Sequence, residues 1–196
     1  MIADLVEIKE TGKYGKGLFA TQFIPKGTII DSYSLCKKCG TYSKEELAKL
    51  SKKEHNFVIH HEQKTKAGLR AKYCDERLSY TNHSCNSNIL ESDEGFDIAI
   101  KDIKKGEEVT EDYRRYGSKK THFVGGCKCG GKNCIGRTAF MAPGSKKLQK
   151  FWNRKINAAL RLIPSVKQPL KIRFLKEHPE LNYLFKKNKQ PILIGR

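Results

Sequence analysis

Asn82-His83-Ser84-Cys85-Asn86-Ser87-Asn88 gathers three amide side chains, an imidazole, hydroxyls and a thiol into seven residues. It comes just after the apolar-aromatic Leu78 and Tyr80. Polar density of this kind in mid-chain does not read as core. It reads as a site, or as a turn rich in turn-forming residues. Two later stretches decide between those readings. One is Gly106-Glu107-Glu108-Val109-Thr110-Glu111-Asp112-Tyr113. The other is Cys127-Lys128-Cys129-Gly130, followed by Cys134.

Around these stretches lies a chain of 196 residues, the length of one ordinary domain with an extension. Its hydrophobic content is 38% against 31% charged, and the apolar residues cluster enough to make a core, so a folded chain is expected. No apolar run reaches membrane-spanning length. The start, Met1-Ile2-Ala3-Asp4-Leu5, has no basic stretch ahead of an apolar one, so no secretory signal is read. The expected location is intracellular: cytoplasmic in a prokaryote, nuclear or chromosomal in a eukaryote. In such a compartment the seven cysteines point to metal or free thiols rather than disulfides.

Upstream of the polar stretch, Leu5 to Glu10 alternates apolar and charged residues like a half-buried strand. Gly15-Lys16-Gly17 follows, suited to a hairpin turn or to close backbone approach. Phe23 to Tyr33 reads as a turn feeding a β-branched strand. Ser43-Lys44-Glu45-Glu46 has capping-box spacing, so a short helix begins near Ser43. Residues 51 to 77 read as the polar part of a variable insertion. Downstream, Asp97 to Ile103 and Val109 to Tyr113 are strands. Short strands, glycine turns and one clear helix in the first 117 residues give a β-rich α+β class.

Cys127-x-Cys129-x4-Cys134 sits among Gly125, Gly126, Gly130, Gly131 and Gly136, as a thiolate cage around a small ion requires. Three cysteines do not close a tetrahedral site. The fourth ligand must come from elsewhere, with Cys85 the best candidate among Cys36, Cys39, Cys74 and Cys85. Cys36 and Cys39 form a separate CxxC that Cys74, His60 and His61 would have to complete, or they are free thiols.

Together these motifs resemble the SET-domain protein lysine methyltransferases that carry a post-SET zinc segment. Gly15-Lys16-Gly17 is similar to the family's first cofactor motif. Ile24 to Tyr33 is similar to the strand ending in its Glu-Tyr pair, Asn82 to Asn88 to its NHSCxPN signature, and Gly106 to Tyr113 to its GEExxxDY signature. The cysteines match CxCx4C. The resemblance implies small β-sheets around a pseudoknot, with S-adenosylmethionine as methyl donor and a substrate lysine entering from the opposite side. It implies that Gly15, Lys16, Gly17, Asn82, His83 and Tyr113 hold the donor. It implies that Tyr113 stands beside the transferring methyl, that Tyr33 lines the lysine channel, and that zinc sits on Cys85, Cys127, Cys129 and Cys134. There are departures: Ser32 replaces the glutamate before Tyr33, Ser87 replaces the signature proline, and Glu111 occupies the position that sets how many methyls fit.

The organisation expected is a SET domain over 1–117 with a variable insertion at 36–77, a post-SET segment at 118–140, and a basic helical extension at 141–196. From Arg137 to Arg196 there are 15 Lys/Arg and 2 Asp/Glu, so this stretch holds +13 of the net +18. Leu148, Phe151, Trp152, Ile156, Ala159, Leu160 and Ile163 recur at helical spacing, as a packing stripe does. Pro164 closes that helix, and further helical segments follow Pro169 and Pro179. The expected partners are a protein bearing the target lysine and, through the basic face, nucleic acid. A different reading of the same features is a catalytically inactive, zinc-stapled module that binds chromatin or nucleic acid.

Overall fold

The computed structural model describes residues 2–13, 15–32, 40–61, 70–72, 75–115, 127–131, 134 and 146–186. The strands are β1 (Val6–Glu10), β2 (Lys16–Ala20), β3 (Ile29–Asp31), β4 (Gly40–Tyr42), β5 (Arg70–Lys72), β6 (Asn82–His83), β7 (Ile89–Glu91), β8 (Asp97–Ala99) and β9 (Glu108–Glu111). Seven of them make one mixed sheet in the order β1-β2-β9-β7-β8-β3, with β6 paired to β9 beside that path. β4 and β5 form a separate antiparallel ribbon. The β-rich α+β expectation holds.

The helices are α1 (Lys44–Lys49), α2 (Lys52–His61), α3 (Lys146–Leu160) and α4 (Lys171–Glu177). α1 begins where its capping box predicts: Glu46 N–H donates to Ser43 Oγ at 3.1 Å, and Ser43 N–H to Glu46 Oε2 at 2.8 Å. α2 is an addition to the sequence reading, which gives no helix to the polar stretch after residue 50. It has its own box, because Ser51 N–H donates to Glu54 Oε2 at 2.9 Å and Glu54 N–H to Ser51 Oγ at 3.3 Å. Among the described residues no helix is long and apolar enough to cross a membrane.

Side-chain alternation on the sheet splits the core in two. Ile89 packs with Val6, Leu18, Ile24, Ile30, Ile103 and Val109 on one side. Its neighbour Leu90 packs on the other side with Phe96, Ile98 and Ile100, against Trp152, Ile156 and Phe174 from the C-terminal helices. Of the apolar stripe read from 148 to 163, Leu148, Trp152, Ile156, Ala159, Leu160 and Ile163 are a packing face, Ile163 from a 3-10 turn past the end of α3, whereas Phe151 lies to the side of that face and is exposed. Phe174 lies edge-on to Phe96, with ring centroids 5.5 Å apart at 86°.

Two further contacts fasten these helices to the sheet. Gln168 accepts from Ile29 N–H at 3.0 Å and donates to the Gly27 carbonyl at 2.7 Å, so a side chain covers the open backbone of edge strand β3. Gly27 itself has φ +94°, and a Cβ there would stand 2.6 Å from Leu162 Cβ. Only glycine meets both conditions.

Candidate functional site

The polar stretch and the acidic motif meet as parallel strands. β6 pairs with β9, Asn82 opposite Thr110 and His83 opposite Glu111. Ile89 then pairs with Glu111 in the same direction. Between them the chain bends out and returns, because Ser84 N–H donates to the Glu111 carbonyl at 2.8 Å and Asn88 N–H to the Thr110 carbonyl at 3.1 Å. Asn88 is buried and its amide completes the bend: Oδ1 accepts from Thr110 N–H at 2.9 Å and Nδ2 donates to the Glu108 carbonyl at 2.8 Å. A side-chain amide here substitutes for a missing strand.

The glycine loop reaches the same place. Asn82 Nδ2 donates to the Lys16 carbonyl at 3.0 Å and to Glu108 Oε1 at 2.8 Å. A Cβ on Gly17 would fall 2.5 Å from Glu108 Oε1, 2.7 Å from Thr11 Cγ2 and 2.9 Å from Asn82 Nδ2. Close approach, not turn geometry, demands glycine at 17. Gly15 meets the other requirement, with φ +82° in the turn between β1 and β2. Three motifs far apart in sequence thus share one cradle.

Tyr113 follows β9 in a 3-10 turn over Tyr113–Arg115. Its hydroxyl donates to the Thr81 carbonyl, and its ring lies 5.4 Å from that of His83. Burial, then the charges of Glu111 and Glu108, raises its phenol above the ordinary range. His83 is held by both ring nitrogens: Nδ1 accepts from Tyr113 N–H at 3.1 Å, and Nε2 stands 3.3 Å from Cys85 Sγ. An accepting Nδ1 places the proton on Nε2, directed at the sulfur. Burial lowers this imidazole to about 4, Asp112 opposing and Arg114 adding to the fall, so it is neutral at physiological pH.

The Sγ atoms of Cys85, Cys127, Cys129 and Cys134 all lie within 4.8 Å of one another. Cys85 and Cys127 are 3.7 Å apart. Sulfurs bound at about 2.3 Å to a tetrahedral zinc sit roughly 3.8 Å apart, so this donor set fits that ion. Cys127 is pushed up, mainly by burial. For Cys129 burial acts the same way, but the N–H groups of Gly131 and Cys85 prevail and hold it at about 7. Unequal thiols crowded this closely are what a bound cation would equalise as thiolates. Among the described residues, Cys85 joins the CxCx4C run here, while Cys36, Cys39 and Cys74 lie outside them.

The sequence reading missed a junction beneath this site. Asp112, 1% exposed, accepts from Arg114 Nε at 2.7 Å and Nη2 at 2.6 Å, and from Trp152 Nε1 of α3 at 3.1 Å. Arg114 Nη2 also reaches the Cys85 carbonyl at 3.4 Å. One carboxylate therefore links the tyrosine turn, the cysteine cluster and the C-terminal helix. An Asp two residues before an Arg is a legible sign of such a pair. Its tryptophan partner, 40 residues on, is not.

A second buried acid lies on the sheet. Asp97 pairs across strands with Asp31 and with Glu91. Its Oδ1 is buried without a hydrogen-bond partner. Burial, then Asp31, Glu111 and Glu91, raises its carboxyl well above the usual range. A raised native pKa favours the folded state in acid and penalises it as pH rises above the unfolded value near ~3.9. Asp97→Asn removes that penalty and is expected to raise Tm at pH 8 while leaving it nearly unchanged at pH 4. Thermal melts at both pH values check this; an equal or lower Tm at pH 8 refutes it.

Tyr33, Cys36, Cys39 and Cys74 lie outside the described residues, as do the side chains of His60 and His61. A family model for the SET domain matches residues 15–114, which span the glycine loop, the polar stretch and the acidic motif. No curated protein matches the chain.

Proposed function

Because the chain belongs to the SET-domain family, we propose that it is an S-adenosylmethionine-dependent protein-lysine N-methyltransferase acting on a basic protein. SET domains are typically protein lysine methyltransferases. The observation that carries the reading is the cradle in which Asn82 holds the Lys16 carbonyl while Tyr113 stands on His83 across the same strand pair. The space denied to a Cβ at Gly17 is taken by Glu108, Thr11 and Asn82, which packs the glycine loop directly onto the two signatures. In this reading Gly15, Lys16, Gly17, Asn82, His83 and Tyr113 hold the donor, which supplies an electrophilic methyl on a sulfonium. The parallel pairing of β6 with β9 supports a threaded, pseudoknotted arrangement of the two signatures.

The chain's own residues then do two things. They exclude water, which favours the neutral form of a lysine amine whose pKa is otherwise about 10.4. They also align that amine, with the Tyr113 hydroxyl and the Thr81 carbonyl as fixed dipoles, and Tyr33 as the expected second wall. Glu111 stands where an aromatic usually limits the methyl count. It is 8% exposed and its charge acts on Tyr113.

Calorimetric titration with S-adenosylmethionine tests the reading. Wild type is expected to bind, Asn82→Ala to lose binding, and Tyr113→Phe to keep binding while turnover falls by at least about a hundredfold. A wild-type protein that binds no donor favours the inactive, zinc-stapled module instead. We assign zinc to Cys85, Cys127, Cys129 and Cys134, with residues 118–140 as the post-SET segment. Elemental analysis is expected to give one zinc per chain, lost together with activity in Cys129→Ser. A zinc-free, fully active protein overturns that assignment.

A further inference from the structure

α3 has two faces of opposite character. Trp152, Ile156, Ala159 and Leu160 are buried. Lys147, Lys150 and Arg154, with Arg161 just past its end, are exposed along the other side, and the helix contains no acidic residue. Its 15 residues extend about 22 Å at the usual rise. Near its middle Phe151 is exposed, with Lys155 Nζ 4.9 Å and Arg154 Cζ 5.9 Å from the ring centroid. The ring acts as a post that orders two long cationic side chains.

Cations from the sheet domain join this row. Lys155 feels the charges of Lys26 and Arg154, and Lys101 feels that of Lys155. Burial first, then this crowding, lowers both Lys101 and Lys155. Lys101 is fixed in place by the carbonyl and Oδ1 of Asn86, at 2.7 and 2.8 Å. The turn bearing Lys26 is held against the end of α3 through Gly27. Two acids lie nearby. Asp102 already accepts the Lys26 backbone N–H at 2.8 Å, and Glu107 accepts from the Lys104 backbone and Asn88.

We propose that Lys26, Lys101, Arg154 and Lys155, with the exposed cationic row of α3, form a surface that binds the phosphate backbone of duplex nucleic acid. Cations converging from three chain segments, without a carboxylate from the helix, match a regular row of phosphates. A membrane does not fit, because an interfacial helix needs its apolar face for lipid and that of α3 is spent on the core. The surface also resolves a conflict of charge. A chain of net +18 repels a lysine-rich protein, and a polyanion bound between them would cancel that repulsion. The binding itself does not depend on the methyl-transfer reading.

The test is fluorescence anisotropy of the full chain with a labelled 20-base-pair duplex over a range of salt. The plot of log affinity against log salt becomes shallower by about 0.9 for each phosphate the protein no longer neutralises. Lys26→Gln, Lys101→Gln, Arg154→Gln and Lys155→Gln combined are expected to reduce the slope by about 3.6 and to weaken binding at least thirtyfold at 100 mM salt. Lys171→Gln with Lys176→Gln on α4 is the control, expected within twofold of wild type. Equal losses in both variants, an unchanged quadruple variant, or tighter binding to phosphatidylserine vesicles than to the duplex would each overturn the proposal. Circular dichroism keeps the result readable by showing that the variants are folded, and donor titration of the same samples reports separately on the methyltransferase reading.

Discussion

Asp112→Ala is expected to lower the unfolding free energy by about 3–5 kcal/mol, because it leaves Arg114 buried without its counter-charge. Arg114 is 8% exposed and makes both of its charged hydrogen bonds to this one carboxylate. Trp152 Nε1 loses its acceptor at the same time. Adding Arg114→Met removes the stranded charge, so the double variant should recover a part of the loss that the single variants do not predict by addition. Urea unfolding of the four species measures this. A cost below about 1 kcal/mol for Asp112→Ala would mean that water reaches the guanidinium and that the junction is ornamental.

A chain ending at residue 145 is expected not to fold at all. It would uncover Leu90, Phe96, Ile98 and Ile100, which have the C-terminal helices as their cover, and would remove the Gln168 bonds at β3. A milder form of the same test is Phe174→Ala. Phe174 is wholly buried between Phe96 and Phe185, and its truncation should cost about 3–5 kcal/mol. The readout is the sheet: dispersed amide resonances for β7 and β8 should broaden in the point variant and be absent in the short chain. A short chain that is soluble and melts within a few degrees of wild type would show that the helices are an appendage.

Much of the fold and site is legible in the sequence because short-range rules govern it. The capping box at Ser43, the alternation in Val6–Glu10 and the prolines at 164, 169 and 179 each act within a few residues. The Asn82–Asn88 and Gly106–Tyr113 motifs are legible as a pair. The missed features follow from distance or dilution. α2 begins with a readable Ser51–Glu54 box, but its residues are mostly polar and only Val58 is buried among its described side chains. Trp152 reads as one apolar position in a stripe, and nothing in its spacing marks an indole N–H aimed at Asp112. Glu111 reads as a departure in one motif, and only the sheet brings it near Asp97.

The Asp112 junction also orders events in time. Its members come from residues 85, 112, 114 and 152, so three stretches of chain must be in hand before all of them are satisfied. During synthesis the tyrosine turn leaves the ribosome well ahead of the helix that braces it. Contacts separated by this much sequence form late and slowly. The nascent chain therefore carries the site's residues out of the ribosome before the site can form, and the sheet and the site are set together only once α3 and the helices after it have emerged.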